Sequence, residues 1–595
     1  MNTIYKSILA LGAGLISLGL SAQDREEQDL TRQVNLEREY NPTLNEAAKI
    51  NTAPNIFSPK VQSAKDVRFL EEAPQLNIKG SKLGSVASGD IRTDVPFSKQ
   101  RFYLKAGAGS HGNLNGVAGV RAVDTANDKL DITASHSGTS GNINYAEPVG
   151  ELEKVKAKYN DTKVGLQYQH SFQPSIFNIG GWYQTTGYNY YGNPFAKEAS
   201  LETLDLDTKQ KIDLLSFYAG LRSSDENAGL LKYAGNLSYT SFKAKEGTYS
   251  EMNKGPKGGI FQADVDFYTA LGEGNIGIGG NFLNESFTGK DDYTHTGAYF
   301  EGLTNITANP YYKIAGINWD VNIGANLSFV DDGKSKFVVA PNLTAQVHIN
   351  ELNTLYGGVT GGVNNNTFVD IIRENRYASL ASQVNYSKTV FDINAGFKSG
   401  IVPNLEFEIF GGYKQTKDDH LFVTYTTTNV HSYSQGAALG NITVPVYDQV
   451  STGHFGGQVK TKLIPATTLK ARLTGYFYNL KEQDKAWERP TFTAELTADI
   501  KPIDKLTLSL QYLLEGGRKG FYDSMVIDNP PAGGRTREVV SMKAINELNA
   551  YAEYEVVKYF SVHAIINNIL NQKYEQHLGY TMQGINFLGG INLKF

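Results

Sequence analysis

The sequence predicts an all-β fold, a transmembrane antiparallel β-barrel of about 22 strands with a short N-terminal extended periplasmic segment. Three observations support this fold. Apolar and polar residues alternate in many segments after residue 100, short and long connectors take turns between those segments, and the chain ends in an amphipathic strand. Of the 595 residues, 40% are hydrophobic. A helical membrane protein is excluded, because it would need several apolar runs of about 20 residues.

Composition excludes several classes of function. The chain has no cysteine, which excludes disulfide scaffolds, thiolate catalysis, cysteine-ligated zinc, iron–sulfur clusters and a lipid-anchored lipoprotein. The formal net charge is −5, so a nucleic-acid partner is not expected. With 60 glycines and 35 tyrosines, the chain is typical of an exported, strand-dominated protein.

Residues 1–22 are predicted to form a secretory signal peptide. Lys6 supplies its positive charge, Ile8–Leu20 its apolar stretch, and Ser21–Ala22 the small residues before the cleavage site. The apolar stretch is shorter than the roughly 20 residues that a membrane span requires. The mature protein is therefore predicted to start near Gln23 and to be exported to the cell outer membrane.

Residues 23–99 form a second region, with dense charges of mixed sign and few aromatic residues. Such a region can scarcely bury a core, so an extended periplasmic or lumenal segment is predicted. Two alternatives stay open: a disordered periplasmic tail, or a segment that orders against a partner or inside a barrel lumen. Prolines interrupt any long helix in this region, at Pro42, Pro54, Pro59, Pro74 and Pro96.

From residue 100 to residue 595 the dominant period is two, which predicts the outer-membrane barrel. The segments Phe261–Phe267, Phe492–Ile500 and Leu548–Val556 alternate apolar with polar residues. Strands of a membrane barrel alternate in this way because every second side chain faces lipid and the others face the lumen. A soluble sandwich also alternates, but not in so many long segments with glycines inside them.

Connector lengths provide an independent indication. Outer-membrane barrels have short periplasmic turns and long external loops, and both chain ends are then predicted to lie in the periplasm. The short connectors are Gln173–Ser175, Leu271–Asn275, Ala315–Gly316, Ile349–Glu351, Val402–Asn404, Pro465–Thr467, Pro502–Asp504 and Lys558–Tyr559. The long polar stretches between them are Asn142–Lys163, Gly192–Thr208, Phe287–Asn305, Asn364–Ser387, Lys417–Tyr447 and Gly517–Lys543.

The C-terminal segment Ile585–Phe595 presents its apolar residues on one face and ends in phenylalanine. An amphipathic last strand of this kind resembles the signal by which outer-membrane barrels are recognised for assembly. Closure of the barrel requires this strand to pair with the first one, near Arg101–Gly109.

The segment Asn567–Tyr574, followed by a final strand to Phe595, resembles the end of a TonB-dependent outer-membrane receptor. The resemblance covers the chain from about residue 100 onward, and about 22 strands is also the number in that family. It implies an outer-membrane receptor barrel.

The N-terminal region departs from that family. Residues 23–99 are too short and too broken by prolines for the family's compact plug domain. No segment resembles a TonB box, for which Val34–Leu36 is the nearest candidate, so an interaction with TonB is not predicted. The segment Leu36–Thr43 resembles the start of plug-lacking barrels of the TonB-dependent-receptor type. That resemblance implies no particular cargo.

A barrel of this size has a lumen that its own side chains cannot fill. An open hole of that width would breach the permeability barrier of the outer membrane. Three candidates could close it: residues 23–99 inside the lumen, inward-folded loops such as Lys417–Tyr447, or a partner protein.

No motif has a catalytic, cofactor-binding or metal-binding context, so an enzyme is not predicted. Gly107–Gly112 matches G-x-G-x-x-G, but an alternating strand follows it instead of the helix that a nucleotide site needs. Ser561 and His563 share the predicted lumen face, which is the wrong face for attack on lipid. Asp418–His420 and Asp291–His295 could hold a divalent ion, but solvated loop charges explain them more simply.

A group of aromatic residues at the outer end of one predicted strand has two interpretations. The first is an aromatic girdle, because amphipathic rings settle at the membrane interface. The second is a surface on which a sugar stacks. The group consists of Trp182, Tyr183, Tyr188, Tyr190 and Tyr191.

The predicted function is gated passage of a solute across the outer membrane, as in a porin or receptor, with residues 23–99 or the loops as the gate. The alternative is a structural platform in a multiprotein envelope complex, with a periplasmic or surface protein as partner. Outer-membrane lipid is the partner that the alternation itself implies.

Overall fold

The computed structural model describes residues 101–149, 152–192, 209–224, 229–245, 255–288, 300–380, 383–402, 404–427, 442–462, 464–525 and 535–595. The predicted signal peptide (residues 1–22) and the predicted extended segment (residues 23–99) lie outside the described residues.

The described residues fold almost entirely into β-strands. One short α-helix, α1, spans Phe368–Glu374, and a 3₁₀ turn spans Ser110–Gly112. The strands are β1 (Phe102–Gly109), β2 (Leu114–Asp124), β3 (Asp128–Val149), β4 (Leu152–Ser171), β5 (Ser175–Asn189), β6 (Lys209–Ser223), β7 (Leu231–Ala244), β8 (Lys257–Leu271), β9 (Gly274–Thr288), β10 (Leu303–Ala315), β11 (Trp319–Asp331), β12 (Lys336–Asn350), β13 (Asn353–Asn364), β14 (Ser387–Val402), β15 (Leu405–Thr427), β16 (Ile442–Thr461), β17 (Thr467–Leu480), β18 (Phe492–Ile503), β19 (Leu506–Gly516), β20 (Lys519–Met525), β21 (Arg535–Ser541), β22 (Ile545–Val557), β23 (Phe560–Asn567), β24 (Glu575–His577), β25 (Tyr580–Thr581) and β26 (Asn586–Lys594).

The strands close into a single antiparallel barrel. Each strand from β1 to β19 pairs with the next, β19 pairs with β22, and β23 and β26 complete the ring. Those nineteen strands and the three later ones make 22, as the sequence predicts. The ring closes between the ends of the chain, where β26 pairs with β1 from Tyr103↔Lys594 to Gly109↔Leu588.

Two hairpins stand apart from the ring. β20 pairs antiparallel with β21 and parallel with the end of β15, from Thr424↔Tyr522 to Thr427↔Met525. β24 and β25 form a short hairpin of their own. No helix among the described residues is long and apolar enough to cross a membrane.

The two faces of the strands separate as the alternation predicts. On β8 the outward residues Phe261, Val265 and Phe267 are exposed to between 39% and 42%. On β26 the outward Phe587 is 63% exposed, whereas the inward Leu588 is 2% exposed. Exposed apolar side chains all around a closed barrel form a surface that lipid, rather than water, covers favourably.

All eight predicted short connectors lie between paired strands, on the same side as both ends of the barrel. The long stretches are on the other side, but four of them are not simply irregular loops. Residues 417–427 and 442–447 belong to β15 and β16, and the stretch Gly517–Lys543 contains β20 and β21. Residues 142–149 and 152–163 belong to β3 and β4, and the stretch Asn364–Ser387 contains α1. The prediction was wrong for β3 and β4 because their outer extensions reverse the alternation: Ala157 and Tyr159 are buried inside, whereas Lys158 between them is exposed.

Candidate functional site

The apolar core lies at the outer end of the barrel, where three connections fold inward. They are residues 365–380 and 383–386 between β13 and β14, residues 481–491 between β17 and β18, and residues 568–585 between β23 and β26. We call these three connections the cap. The largest cluster of buried apolar side chains joins the outer ends of β3 to β11 with residues from the first and third connections.

The first connection is held against the barrel wall by α1. Thr367 caps the helix: its hydroxyl accepts from the Asp370 amide, and the Asp370 carboxylate accepts from the Thr367 amide, which satisfies two otherwise unpaired groups. Phe368 stacks on Phe242 of β7 with ring centroids 4.6 Å apart. Its amide donates to the Glu285 carboxylate of β9 at 2.8 Å. The helix therefore docks on the wall formed by β7 and β9.

Beyond α1 the same connection pairs with β16. Ala378 forms a parallel β-bridge with Thr443. The Ser379 amide donates to the Thr443 carbonyl at 2.7 Å, and the Thr443 amide donates to the Tyr377 carbonyl at 3.2 Å. The Asn375 side-chain amide donates to the Thr443 hydroxyl at 2.7 Å. The connection is thus tied to a strand that lies outside its own hairpin.

The third connection contains the segment that resembles TonB-dependent receptors, and its asparagines have structural roles. Asn568 adopts a left-handed conformation with φ of 48°. Its side-chain amide donates to the carbonyls of Gln572 at 2.8 Å and Gln583 at 3.0 Å, which closes the loop on itself. Tyr574 is fully buried, and its hydroxyl donates to the Glu547 carboxylate of β22.

The first and third connections meet through tyrosine rings. Tyr377 stacks on Tyr580 with centroids 3.5 Å apart. Tyr191, just after β5, lies edge-on to both, at 5.9 Å from Tyr377 and 5.0 Å from Tyr580. Tyr188 of β5 lies edge-on to Tyr377 at 6.0 Å. Contacts between two connections that are separated along the rim thus meet beside the outer end of β5.

This arrangement corrects the girdle interpretation for four of the five residues of the predicted aromatic group. Tyr188, Tyr190 and Tyr191 are buried in the core of the outer mouth and do not face lipid. Tyr183 is 43% exposed on the outer face, where a girdle residue belongs. Trp182 points inward, with the Lys163 ammonium 4.3 Å from its ring centroid. Sequence alone could not separate these positions, because adjacent residues of one strand point to opposite faces.

Arg376 inserts its guanidinium among these rings. The guanidinium carbon lies 3.9 Å from the Tyr159 ring centroid, on β4. Its Nη1 is buried and has no hydrogen-bond acceptor in the described part of the chain. Burial raises the pKa of the Tyr377 and Tyr580 hydroxyls, so both phenols are neutral. Arg376 is therefore held by ring faces rather than by a phenolate charge.

Ion pairs join the second connection to the rest of the outer mouth. The His577 Nδ1 lies 2.7 Å from the Glu488 carboxylate, which also accepts from the Leu578 amide at 2.9 Å. The Arg489 guanidinium donates to Asp419 at 2.8 Å. Asp419 lies in β15 beyond the bulge that ends its membrane-spanning part. Burial opposes its ionisation, but the Arg489 charge and hydrogen bond outweigh this and lower the pKa of the carboxyl.

The other residues singled out by the sequence have no ligand-binding arrangement. Gly107 and Gly109 lie in β1, and a Cβ at Gly109 would come within 1.8 Å of the Phe587 carbonyl oxygen, so glycine serves the closure of the barrel. Ser561 and His563 are buried on the inner face of β23, as predicted. His420 pairs with Glu374 at 2.8 Å.

Of the two groups considered for ion binding, only Asp418–His420 lies among the described residues. Within the described ranges, no three His, Asp or Glu side chains converge as metal ligands. Asp291–His295 lies outside the described residues. In the group Asp418–His420, Asp419 is paired with Arg489 and His420 with Glu374.

No protein-family model matches the sequence, and no curated protein is detectably similar to it. Solved structures are similar in fold. The siderophore receptor PirA from Acinetobacter baumannii has a TM-score of 0.61 at 11% identity, over 83% of this chain and 80% of that one. The FrpB iron transporter from Neisseria meningitidis has a TM-score of 0.60 at 11% identity, over 84% and 82%.

The pyoverdine outer-membrane receptor FpvA from Pseudomonas aeruginosa has a TM-score of 0.58 at 12% identity, over 84% of this chain and 79% of that one. These neighbours are receptors and transporters rather than enzymes. The predicted resemblance to TonB-dependent receptor barrels is thereby confirmed at the level of the fold.

Proposed function

We propose that the protein passes a solute across the outer membrane and that the cap is its outer gate, in the closed state. One observation carries the proposal: Tyr377 and Tyr580 stack on each other although they come from connections at separate parts of the rim. The two rings can stack only while both connections are folded inward, so the stack belongs to the closed arrangement of the mouth.

The cap is built so that it can separate from the barrel without unfolding it. The barrel is closed by continuous strand pairing, as between β1 and β26. The first and third connections meet instead through ring contacts, each of which contributes about 0.5–1.5 kcal/mol beyond its buried area. Opening therefore breaks ring contacts and a few hydrogen bonds, including the short backbone pairing of residues 377–379 with Thr443, and leaves the hydrogen-bonded ring of strands intact.

Residues 1–22 and 23–99 complete the proposal. Export by the signal peptide brings the barrel to the outer membrane, where its apolar outer face is covered by lipid. Residues 23–99 form an extended segment, not a full plug, that closes the lumen from the periplasmic side. Passage of a solute then requires two successive events, at the outer and at the inner end.

The fold neighbours suggest which solutes to test first. FpvA binds pyoverdine and PirA is a siderophore receptor. Ferric siderophores are therefore the first class to screen against this barrel.

The proposal is tested by the permeability of the outer membrane. In a barrel that lacks residues 23–99, Tyr377→Ala/Tyr580→Ala should make cells more sensitive to vancomycin, which is too large for ordinary porins, because neither end of the lumen is then closed. Tyr554→Ala is the matched control, because Tyr554 is exposed on the outer face of β22, away from the cap. Equal sensitivity of both variants at equal barrel levels would contradict the gate and would favour the platform alternative.

A further inference from the structure

The side of the barrel that faces Arg376 is an aromatic wall. Tyr159 lies on β4, Tyr188 on β5, and Tyr190 and Tyr191 directly follow β5. We call these four residues the tyrosine wall. β4 and β5 pair along their whole shared length, including Tyr159↔Tyr188. Tyr159 and Tyr188 therefore belong to the barrel and stay in place when the cap moves, whereas Tyr191 also donates a hydrogen bond to Thr581 of the cap.

Hydrogen bonds fix the rings of this wall in position. The Tyr145 hydroxyl donates to the Tyr191 carbonyl at 2.7 Å. The Tyr191 hydroxyl donates to the Thr581 carbonyl at 2.9 Å, and the hydroxyls of Tyr188 and Tyr190 lie 3.5 Å apart. A fixed set of ring faces is the geometry in which proteins bind cationic groups.

Cations already occupy two aromatic positions on this side. Arg376 lies over Tyr159 at 3.9 Å, and Lys163 lies over Trp182 at 4.3 Å. Between them on the inner face of β4 is Asp161, whose carboxylate accepts from Gln184 at 2.7 Å and Thr186 at 2.5 Å. Ring faces next to a carboxylate create a negative potential that favours a positive group.

Arg376 fills this position incompletely. Its Nη1 is buried without an acceptor, and among the described residues it forms no ion pair with a carboxylate. A buried donor without an acceptor costs free energy. A cationic group of the solute whose own donors all find acceptors would therefore compete well with Arg376 for the ring faces. Because Arg376 belongs to the cap and the wall does not, replacing it releases a contact of the gate.

We propose that the tyrosine wall is the binding site for a cationic group of the solute, and that Arg376 occupies this site as an internal surrogate while the cap is closed. The inference rests on the proposed gate. The ligand class is a guanidinium or alkylammonium group on a larger molecule, such as an arginine-rich oligopeptide. Binding of that group and closure of the cap exclude each other.

The test measures binding of a fluorescein-labelled tetra-arginine amide to the purified full chain in detergent by anisotropy. Arg376→Ala removes the competing guanidinium, so the variant should bind the peptide with an affinity about tenfold higher than that of the wild type. Arg373→Ala is the matched control, because Arg373 is an exposed arginine of the same connection. In the Arg376→Ala chain, Tyr159→Leu should remove the gain and Tyr159→Phe should keep it, since a cation binds the ring and not the hydroxyl.

Three results would overturn the proposal. One is equal binding by wild type, Arg376→Ala and Arg373→Ala. Another is equal binding by the Phe and Leu variants of Tyr159. The third is wild-type binding of a labelled tetraglutamate that Arg376→Ala abolishes, which would make Arg376 an anion site. Conductance is a separate readout. Peptide binding without gated conductance would reject the proposed function and keep the binding site. Gated conductance without peptide binding would reject the binding site and keep the proposed function.

Discussion

The ring of Tyr377 lies on the ring of Tyr580, with 3.5 Å between the centroids and 13° between the planes. Tyr377 is 6% exposed and Tyr580 is fully buried. The first belongs to the connection after β13 and the second to the connection before β26. The stack therefore joins two parts of the rim that strand pairing does not bring together, and we expect it to control how often the cap opens.

Replacing Tyr580 by alanine should loosen the cap and leave the barrel folded. Truncation of a buried aromatic side chain costs about 3–5 kcal/mol. Since the ring of Tyr580 contacts Tyr377 of the cap and Tyr191 after β5 but takes no part in the strand pairing of the barrel, the loss of free energy should fall on local opening of the cap. Amide hydrogen exchange of residues 568–580 should accelerate by about a hundredfold or more. Unchanged exchange there, or equal acceleration in Tyr554→Ala, would show that the stack does not control opening.

Asp419→Asn should weaken the attachment of the second connection at neutral pH. A fully buried pair that loses one partner costs about 3–5 kcal/mol. Arg489 keeps 30% of its side chain exposed, so we expect a smaller loss of about 1–3 kcal/mol. Hydrogen exchange of residues 481–491 measures the loss.

The same pair predicts a pH dependence. The pKa of Asp419 is lowered in the folded protein. Its stabilisation is therefore fully present above the ordinary carboxyl pKa of about 4 and is lost as the pH falls through the lower folded-state value. The difference in exchange between wild type and Asp419→Asn should narrow below about pH 4. A constant difference from pH 7 to pH 3 would argue against the ion pair.

A disulfide between positions 378 and 443 should lock the first connection. Ala378 and Thr443 form a β-bridge, in which Cα atoms lie about 4.8 Å apart, within the range for a disulfide. The chain has no cysteine, so no other disulfide can form. In the Tyr580→Ala background, oxidised Ala378→Cys/Thr443→Cys should slow exchange of residues 368–380, and reductant should reverse this. The two single-cysteine variants are controls that should not respond.

Glu488 combines an unfavourable backbone with two good contacts. Its φ is 60°, which is costly for a residue other than glycine. Glu488→Gln keeps the backbone strain and an oxygen for the Leu578 amide but loses the charge opposite His577. Glu488→Gly removes the strain and both contacts. We expect amide hydrogen exchange of residues 568–580 to accelerate less in Glu488→Gln than in Glu488→Gly. The opposite order would show that the strain matters more than the contacts.

The barrel could be predicted because lipid imposes a period of two on every strand that crosses it. Phe261–Phe267 and Ile585–Phe595 carry that signal, and the structure places their alternating large apolar residues outside, with the exception of the inward Leu588. The short connectors were found for the same reason, since strands of fixed length must be joined at regular intervals. The number of strands follows once strands and connectors are known.

The cap could not be predicted, because its contacts join residues far apart in the chain. Nothing near Tyr377 in sequence points to Tyr580, and nothing near Glu488 points to His577. The aromatic group at Trp182–Tyr191 was a usable signal, but its interpretation depended on which rings point inward. Outer strand extensions such as those of β3 and β4 carry the reversed alternation, with apolar residues inward and polar residues exposed, so the pattern does not mark a lipid-facing surface there.

The most direct test of the gate is planar-bilayer conductance of wild type and Tyr377→Ala/Tyr580→Ala, each with residues 23–99 present and deleted. We predict low conductance for the wild type in both forms, because the cap still closes the outer mouth when residues 23–99 are absent. The double variant without residues 23–99 should conduct far more than the other three proteins. If deletion of residues 23–99 alone gives the same conductance as deletion combined with the double substitution, the cap does not close the barrel.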